Sequence, residues 1–502
     1  MPNRSLGSEE VSHDDKSIDE QNEYLRSEYP EEDLVGTDMF QPFFKRKRTL
    51  HVGISLLLAA LCYFFLPLDP DHLQELGLTE DKVRTGLTIF TLIGALWLTE
   101  AMPLSATALL VPVLATLTGL TDMKTSMSNF AHPLIFIFFG GFALAAAMAY
   151  QGIDRWVAER LIRLGKGHYI RSAILLFIAT ALLSMWMSNT ATAAMMVPIV
   201  IGIIRALPPE AAANVKNNYF LLLGIAYSAS IGGMGTLVGS PPNGIAASAL
   251  NLSFVDWMKF GIPAVILLLP LMIWLLVILC RPSKGIRIPT QKNVFRFNNS
   301  RRITLVIFLL TAGGWIFSGS LSEMAGVKSD FDTIVALIAV FMMLLFRVVR
   351  WRDIDDGIEW GVLLLFGGGI ALSSVLGSSG ASTFLADGLK NLIGGWSGFA
   401  VALAVTFFVI MLTELSSNTA TAALLVPIFM TVAVAMNMSS AALVIPLALA
   451  SSCAFMLPVA TPPNAIVFAT KRIPQREMMR VGLVLNIVFS VALAIYSKLF
   501  LM

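Results

Sequence analysis

Ser188–Ile199 reads SNTATAAMMVPI, and Ser417–Ile428 reads SNTATAALLVPI; the two differ only at Met195/Leu424 and Met196/Leu425. Each is followed by a second matched phrase: GSPPNGIA around Pro241 and Pro242, then ATPPNAIV around Pro462 and Pro463. All four phrases are polar or helix-breaking, and all four sit in apolar surroundings. A repeated interruption at corresponding positions of two halves is the sequence pattern of a transporter whose site lies where helices break.

The rest of the chain suits that reading. Of its 502 residues, 56% are hydrophobic and 14% charged, whereas a soluble chain carries about 25% charge. Apolar runs of about 20 residues, each long enough to cross a bilayer core, recur at about 50–66, 84–101, 104–120, 133–152, 218–239, 261–280, 303–319, 331–346, 360–378, 441–460 and 481–501. The fold class is therefore all-α and polytopic; a barrel would need short alternating strands. Cys62, Cys280 and Cys453 are scattered in apolar stretches and form neither a disulfide framework nor a metal motif. The histidines do not cluster, and no nucleophile–base set or haem-ligand pair is visible, which leaves an enzyme or respiratory subunit without support. Residues 1–44 are polar and acidic, show no cleavable signal peptide, and are expected to be a disordered cytoplasmic tail.

Two further apolar stretches, 172–205 and 398–435, hold the SNT phrases in their middle. If both turn back within the membrane, eleven spans remain. Lys45 to Arg48, Arg155 to Arg171, Arg281 to Arg302, Arg347 to Arg352 and Lys471 to Arg480 then share one side, leaving few basic residues on the other. The positive-inside rule places that side in the cytoplasm, with the N-terminus inside and the C-terminus outside. Gly141–Leu161 also aligns with Gly369–Leu389. Each half reads three spans, a hairpin, then two spans; five crossings are odd, so the halves are inverted relative to each other.

A hairpin tip inside the membrane must satisfy its own backbone, and Ser, Asn and Thr suit such a turn. The chain after each tip is helical again, so Ser188 or Asn189, and Ser417 or Asn418, lie near a helix N-terminus. That end carries free N–H groups and partial positive charge and is a ready anion site. The paired prolines break a helix and leave half-helices starting near Asn243 and Asn464. Ser240, Thr461, Asn189, Thr190, Asn418 and Thr419 supply neutral hydrogen-bonding groups. Ser184 and Thr413 lie one turn before Ser188 and Ser417. With an Asn carbonyl and freed backbone near Gly239 or Ala460, each makes a hard-oxygen cluster suited to Na⁺. Glu414, whose counterpart is Met185, breaks the symmetry and is a candidate for coupling or for structural hydrogen bonding. Glu100 lies near a boundary where it reaches water. The Gly-rich runs at Gly140–Gly141 and Gly367–Gly369 suit close helix packing.

At these residues the chain resembles the divalent anion/sodium symporter family, from about Lys45 to Met502, with bacterial succinate-type members the nearest in pattern. The resemblance implies a homodimer of eleven spans and two opposed hairpins, with a scaffold from 45–171 and 303–397. A transport domain from 172–302 and 398–502 would move as an elevator. It further implies one sodium site at Ser184, Ser188, Asn189 and Gly239, and a second at Thr413, Ser416, Asn418 and Ala460. Substrate carboxylates would meet Asn189, Thr190, Ser240, Asn418, Thr419 and Thr461. Ser416 stands where the family usually has a smaller residue, which is harmless if the backbone is the ligand. The expected function is sodium-coupled import of succinate, malate or fumarate across a bacterial inner membrane. A sodium-independent exchanger, a citrate or sulfate carrier and a passive channel are the alternatives.

Overall fold

The structure, a computed structural model, describes residues 41–287, 298–327 and 329–502. Residues 1–40 of the expected tail lie outside the described residues, as do Lys292 and Arg296 of the basic loop. Gln41–Phe44, placed in the expected tail, are helical, the opening turn of a helix that runs Gln41–Phe65. The chain divides into two compact units, one up to Ile54 and one from Ser55 to Met502; the larger holds every signature phrase.

All the helices and strands assigned among the described residues are helices. Each of the eleven expected spans overlaps one, but the helices over 218–239 and 441–460 stop early, at Gly233 and Ser451. Six helices are long and apolar enough on their own to cross a membrane, and two bent pairs pass the same test together. Phe254–Cys280 makes the physical case most clearly: its mean hydropathy is 2.9, yet only 39% of the window is buried within the protein. Side chains such as Ile266 and Trp274 point outward from it. Water would penalise such a surface by about 25 cal/mol per Å², whereas a bilayer accepts it.

The two SNT stretches each form a pair of helices: Tyr169–Ser184 with Asn189–Arg205, and Gly398–Thr413 with Asn418–Ala435. By length alone Asn418–Ala435 would cross. Packing shows the hairpin instead. Both arms of the first pair lie on Lys216–Gly233, and both arms of the second lie on Ser440–Ser451, which requires the chain to reverse at each tip. Short helices precede the hairpins, Ile153–Leu164 and Ala381–Ile393. The second of these bends 116° into the hairpin arm that follows.

The two halves interlock. Pro241–Leu250, the helix after the first break, packs on the second hairpin arm Asn418–Ala435 and on Ser440–Ser451. In return Pro462–Ala469, after the second break, packs on Asn189–Arg205 and Lys216–Gly233. The glycine runs act as their composition predicts. A Cβ on Gly368 would come within 2.7 Å of the Ala108 backbone, and one on Gly140 within 3.0 Å of the Ala336 carbonyl oxygen. Trp360–Ser379 can therefore lie directly on Leu104–Leu117, and Pro133–Tyr150 on Phe331–Leu345.

The breaks differ from expectation in one respect. The half-helices begin at Pro241 and Pro462 themselves, two residues before Asn243 and Asn464. Proline is well placed in the first helical turn, where its missing N–H would have had no partner. The interruption lies upstream: Lys216–Gly233 ends seven residues before Ser240, and Ser440–Ser451 ends ten before Thr461.

Candidate binding site at two tips and two broken helices

Asn189 and Asn418 each open a helix, with Ser188 and Ser417 as N-caps in extended conformation. Ser188 Oγ accepts from the Ala191 amide at 3.3 Å. Ser184 Oγ donates to Asn189 Oδ1 at 2.6 Å and to Ala229 O at 2.7 Å. The second tip repeats this geometry: Thr413 Oγ1 lies 2.6 Å from Asn418 Oδ1 and 3.0 Å from Ser451 O, two acceptors that share its one proton. Hydroxyl, carboxamide and the end of the following helix are thus joined at both tips, as the repeated spacing predicts.

The first amide is satisfied in one orientation, with its nitrogen toward the carbonyls. With its oxygen inward, Asn189 Oδ1 joins Ser184 Oγ, Ala229 O and Gly239 O in a ring of oxygens. Reversed, its nitrogen donates to Ala229 O at 2.8 Å, Gly239 O at 3.3 Å and Ser184 Oγ at 2.6 Å. Four oxygens facing one another repel unless a donor or a cation sits among them. The reversed amide supplies the donor.

Asn243 and Asn464 hold the breaks open. Asn243 Nδ2 donates to Gly233 O at 2.8 Å and Thr236 O at 2.7 Å. Asn464 Nδ2 donates to Ala454 O at 2.9 Å and Leu457 O at 3.1 Å. Both are fully buried. Each therefore pairs two carbonyls at its break, of which Leu457 O also accepts from Ala460 N at 3.2 Å. Asn464→Ala is expected to cost about 1–3 kcal/mol, because it strands the buried Ala454 carbonyl, and the melting temperature of the purified protein measures this. Asn464→Asp is expected to be worse, since a carboxylate would face two carbonyl oxygens.

Ser240 and Thr461, the N-caps of the half-helices, are buried and extended. Thr461 Oγ1 accepts from the Asn464 amide at 3.3 Å. Ser240 Oγ instead pairs with Ser452 Oγ at 3.1 Å, a contact between the two halves. Tyr227 makes another, its hydroxyl donating to Phe455 O at 2.8 Å. Ser416 Oγ is taken by Leu412 O at 3.1 Å and Thr421 Oγ1 at 2.8 Å. Thr190 and Asn418 are half-buried and Thr419 is buried. Ser417 and Thr419 line a cavity of about 330 Å³ with Ser105, Glu359 and Leu365. A larger cavity of about 590 Å³, between His132, Asp256, Lys259, Asp330 and Asp332, touches none of the signature residues. The smaller one bears on the site because it reaches signature hydroxyls.

Sequence reasoning missed Ser452, Thr236, Tyr227 and Asn486, which lie outside the repeated phrases. It also missed Trp186, whose ring at the first tip stacks near Trp315 (6.4 Å, 6°), itself stacked on Phe254 (4.5 Å, 20°). Glu100 is exposed, as expected, and ends the helix Glu80–Thr99 in the left-handed region. Among the described residues no three His, Cys, Asp or Glu side chains gather as a metal cluster.

A family model described as the sodium:sulfate symporter transmembrane region matches residues 48–502. The chain belongs to this family of divalent anion/sodium symporters. Family membership makes it a membrane transporter rather than an enzyme. An uncharacterized transporter of Haemophilus influenzae is 47% identical over 429 residues, covering 84% of this chain and 92% of the relative. The sodium-dependent dicarboxylate transporter SdcS of Staphylococcus saprophyticus is 34% identical over 494 residues, covering 91% and 93%. SdcS of Staphylococcus aureus is 33% identical over 479 residues, covering 89% and 91%. Among solved structures, the YdaH transporter of Alcanivorax borkumensis, described as having an unusual topology, matches with a TM-score of 0.53. It is 15% identical, covering 75% of this chain and 88% of that one, and so speaks for the fold alone.

Proposed function

We propose that the chain is a sodium-coupled secondary active symporter that imports C4-dicarboxylates such as succinate, malate and fumarate. The observation that carries this reading is the pair of matching oxygen sets at the two tips, built without a basic side chain. In the first, sodium meets Ser184, Ser188, Asn189 and the backbone of Gly239. In the second it meets Thr413, Ser416, Asn418 and the backbone of Ala460. The Ser416 hydroxyl is already engaged, so its contribution is the backbone carbonyl. The names of the staphylococcal relatives support both ion and substrate.

The Asn189 amide gives a physical route to coupling. A cation among the oxygens favours Oδ1 inward, and the amide nitrogen then faces away, free to donate to a carboxylate. Sodium would bind first, and the dianion would follow onto Asn189, Thr190, Ser240, Asn418, Thr419 and Thr461, close to helix N-termini that favour negative charge. The interlocked hairpins and broken helices, 172–302 and 398–502, would move as one transport domain against a scaffold of 45–171 and 303–397. We place the protein in a bacterial inner membrane as a homodimer by its family resemblance, and its N-terminus inside and C-terminus outside by the distribution of Lys and Arg.

The test is radiolabelled succinate uptake into proteoliposomes under an inward Na⁺ gradient, against equal K⁺ or choline gradients. Accumulation with Na⁺ alone is the expected result. Equal uptake in every salt would overturn sodium coupling in favour of exchange. Sodium-driven uptake of sulfate or citrate but not succinate would overturn the substrate; the family's own description names sulfate.

A further inference from the structure

The two breaks are held by different chemistry. In the first half, Thr236 Oγ1 donates to Met185 O, tying the loop after Lys216–Gly233 to the hairpin tip. The amides of that loop stay close to helical: Met234 N donates to Ile231 O and Gly235 N to Gly232 O. In the second half, the position of Met185 is Glu414 and that of Thr236 is Leu457. Glu414 Oε1 accepts from Phe455 N at 2.6 Å, Met456 N at 2.8 Å and Asn486 Nδ2 at 2.7 Å. Oε2 accepts from Leu457 N at 2.9 Å. Both Glu414 and Asn486 are buried. The same two positions are joined in both halves, with polarity reversed: a side-chain donor to a backbone carbonyl in one, a side-chain anion to backbone amides in the other.

We infer that Glu414 is the positioning residue of the second break, a fixed internal anion that keeps residues 455–457 unwound and so sets the backbone leading to Ala460 and Thr461. Residues 454–457 are gripped from both sides, their amides by Glu414 and two of their carbonyls by Asn464. Three consecutive amides aimed at one carboxylate form the concave donor array that elsewhere binds an external anion. Here the protein fills it with its own. The second break therefore holds its shape before any ligand arrives. The first has no such anion: neutral groups hold it, with Asn243 on Gly233 O and Thr236 O, Trp257 Nε1 donating to Met234 O at 3.0 Å, and Thr236 Oγ1 accepting from Gly239 N at 3.3 Å. The two proposed sodium sites become unequal: the second is preformed beside a carboxylate, and the first beside neutral groups alone. This last consequence rests on the function proposed above; the clamp itself does not.

Glu414→Gln separates the two. The variant keeps size but loses the charge and one acceptor. Hydrogen-exchange mass spectrometry of the purified protein is expected to show amides 455–457 exchanging about tenfold faster or more, since hydrogen bonds to charged groups are the stronger kind, with 234–236 unchanged. Unchanged exchange at 455–457 would overturn the clamp whatever the protein transports. In proteoliposomes, the sodium concentration for half-maximal uptake is expected to rise several-fold, while the KM for succinate at saturating sodium stays within about twofold. A fall in maximal rate alone would reduce Glu414 to a structural residue and overturn its part in cation binding. Asn486→Ala keeps the carboxylate but removes one donor. It is expected to shift both readings in the same direction by less, and it carries the test if Glu414→Gln does not fold. Loss of uptake in the unaltered protein, with clamp behaviour intact, would refute the symport reading and leave the clamp standing.

Discussion

Asn189→Ala and Asn418→Ala are each expected to cut sodium-driven succinate uptake by on the order of 30-fold to 4,000-fold. Each removes the one side chain assigned to both a cation and a carboxylate. At the first tip, loss of the amide removes the partner 2.6 Å from Ser184 Oγ and leaves only its hydrogen bond to Ala229 O. Truncating a partner of a buried charged group costs about 2–5 kcal/mol, and each 1.4 kcal/mol is a factor of ten. Uptake at a series of sodium and succinate concentrations, with a melting curve for each variant, is the measurement. Both half-saturation constants should rise in each variant. Full uptake in either, with normal folding, would remove that tip from the site.

Gly239→Ala is expected to rank next, with a loss of about tenfold to a hundredfold. A Cβ there would lie 2.5 Å from Gly233 O, 2.8 Å from Ser184 O and 2.9 Å from Gly233 Cα. All three neighbours are backbone and belong to the first break and the first tip, so none can swing aside as a side chain would. Overpacking costs about 1–3 kcal/mol, spent here by pushing Gly239 O away from the oxygens it shares with Asn189. Gly202→Ala is the control. It lies in an arm of the same hairpin with open space around it, and alanine in a helix interior is favoured over glycine by about 1 kcal/mol. Uptake should survive Gly202→Ala and fail in Gly239→Ala; equal activity in both would show that the break tolerates the methyl group.

The hairpins, the breaks and the oxygen clusters were legible because the chain states them twice. A helix break in an apolar run costs several kcal/mol unless something pairs its backbone, so two breaks at matching positions mark where the fold supplies such partners. The sequence was less informative on how the partners are arranged. Glu414 stood out as an acid among apolar residues, but its partners, Phe455 to Leu457 and Asn486, lie 41 to 72 positions away and leave no local periodicity. The Ser240–Ser452 pair spans 212 positions and joins the halves, and Ser452 lies outside both matched phrases. The helix starts were read two residues late because proline was taken only as a breaker. In the first turn of a helix its fixed φ and missing donor help, so the same residue that stops one helix opens the next.

The crossing-over of the broken helices bears on how the protein can be assembled from parts. Pro241–Leu250 leans on the second hairpin, and Pro462–Ala469 on the first. Each half thus lends the other the wall that closes its own break. A gene cut between the halves would yield two fragments, neither holding a complete site, each with a polar tip bare to lipid. Made together in one cell they could clasp and recover uptake; made separately and mixed after folding, they should not, because the clasp has to form while both are still open.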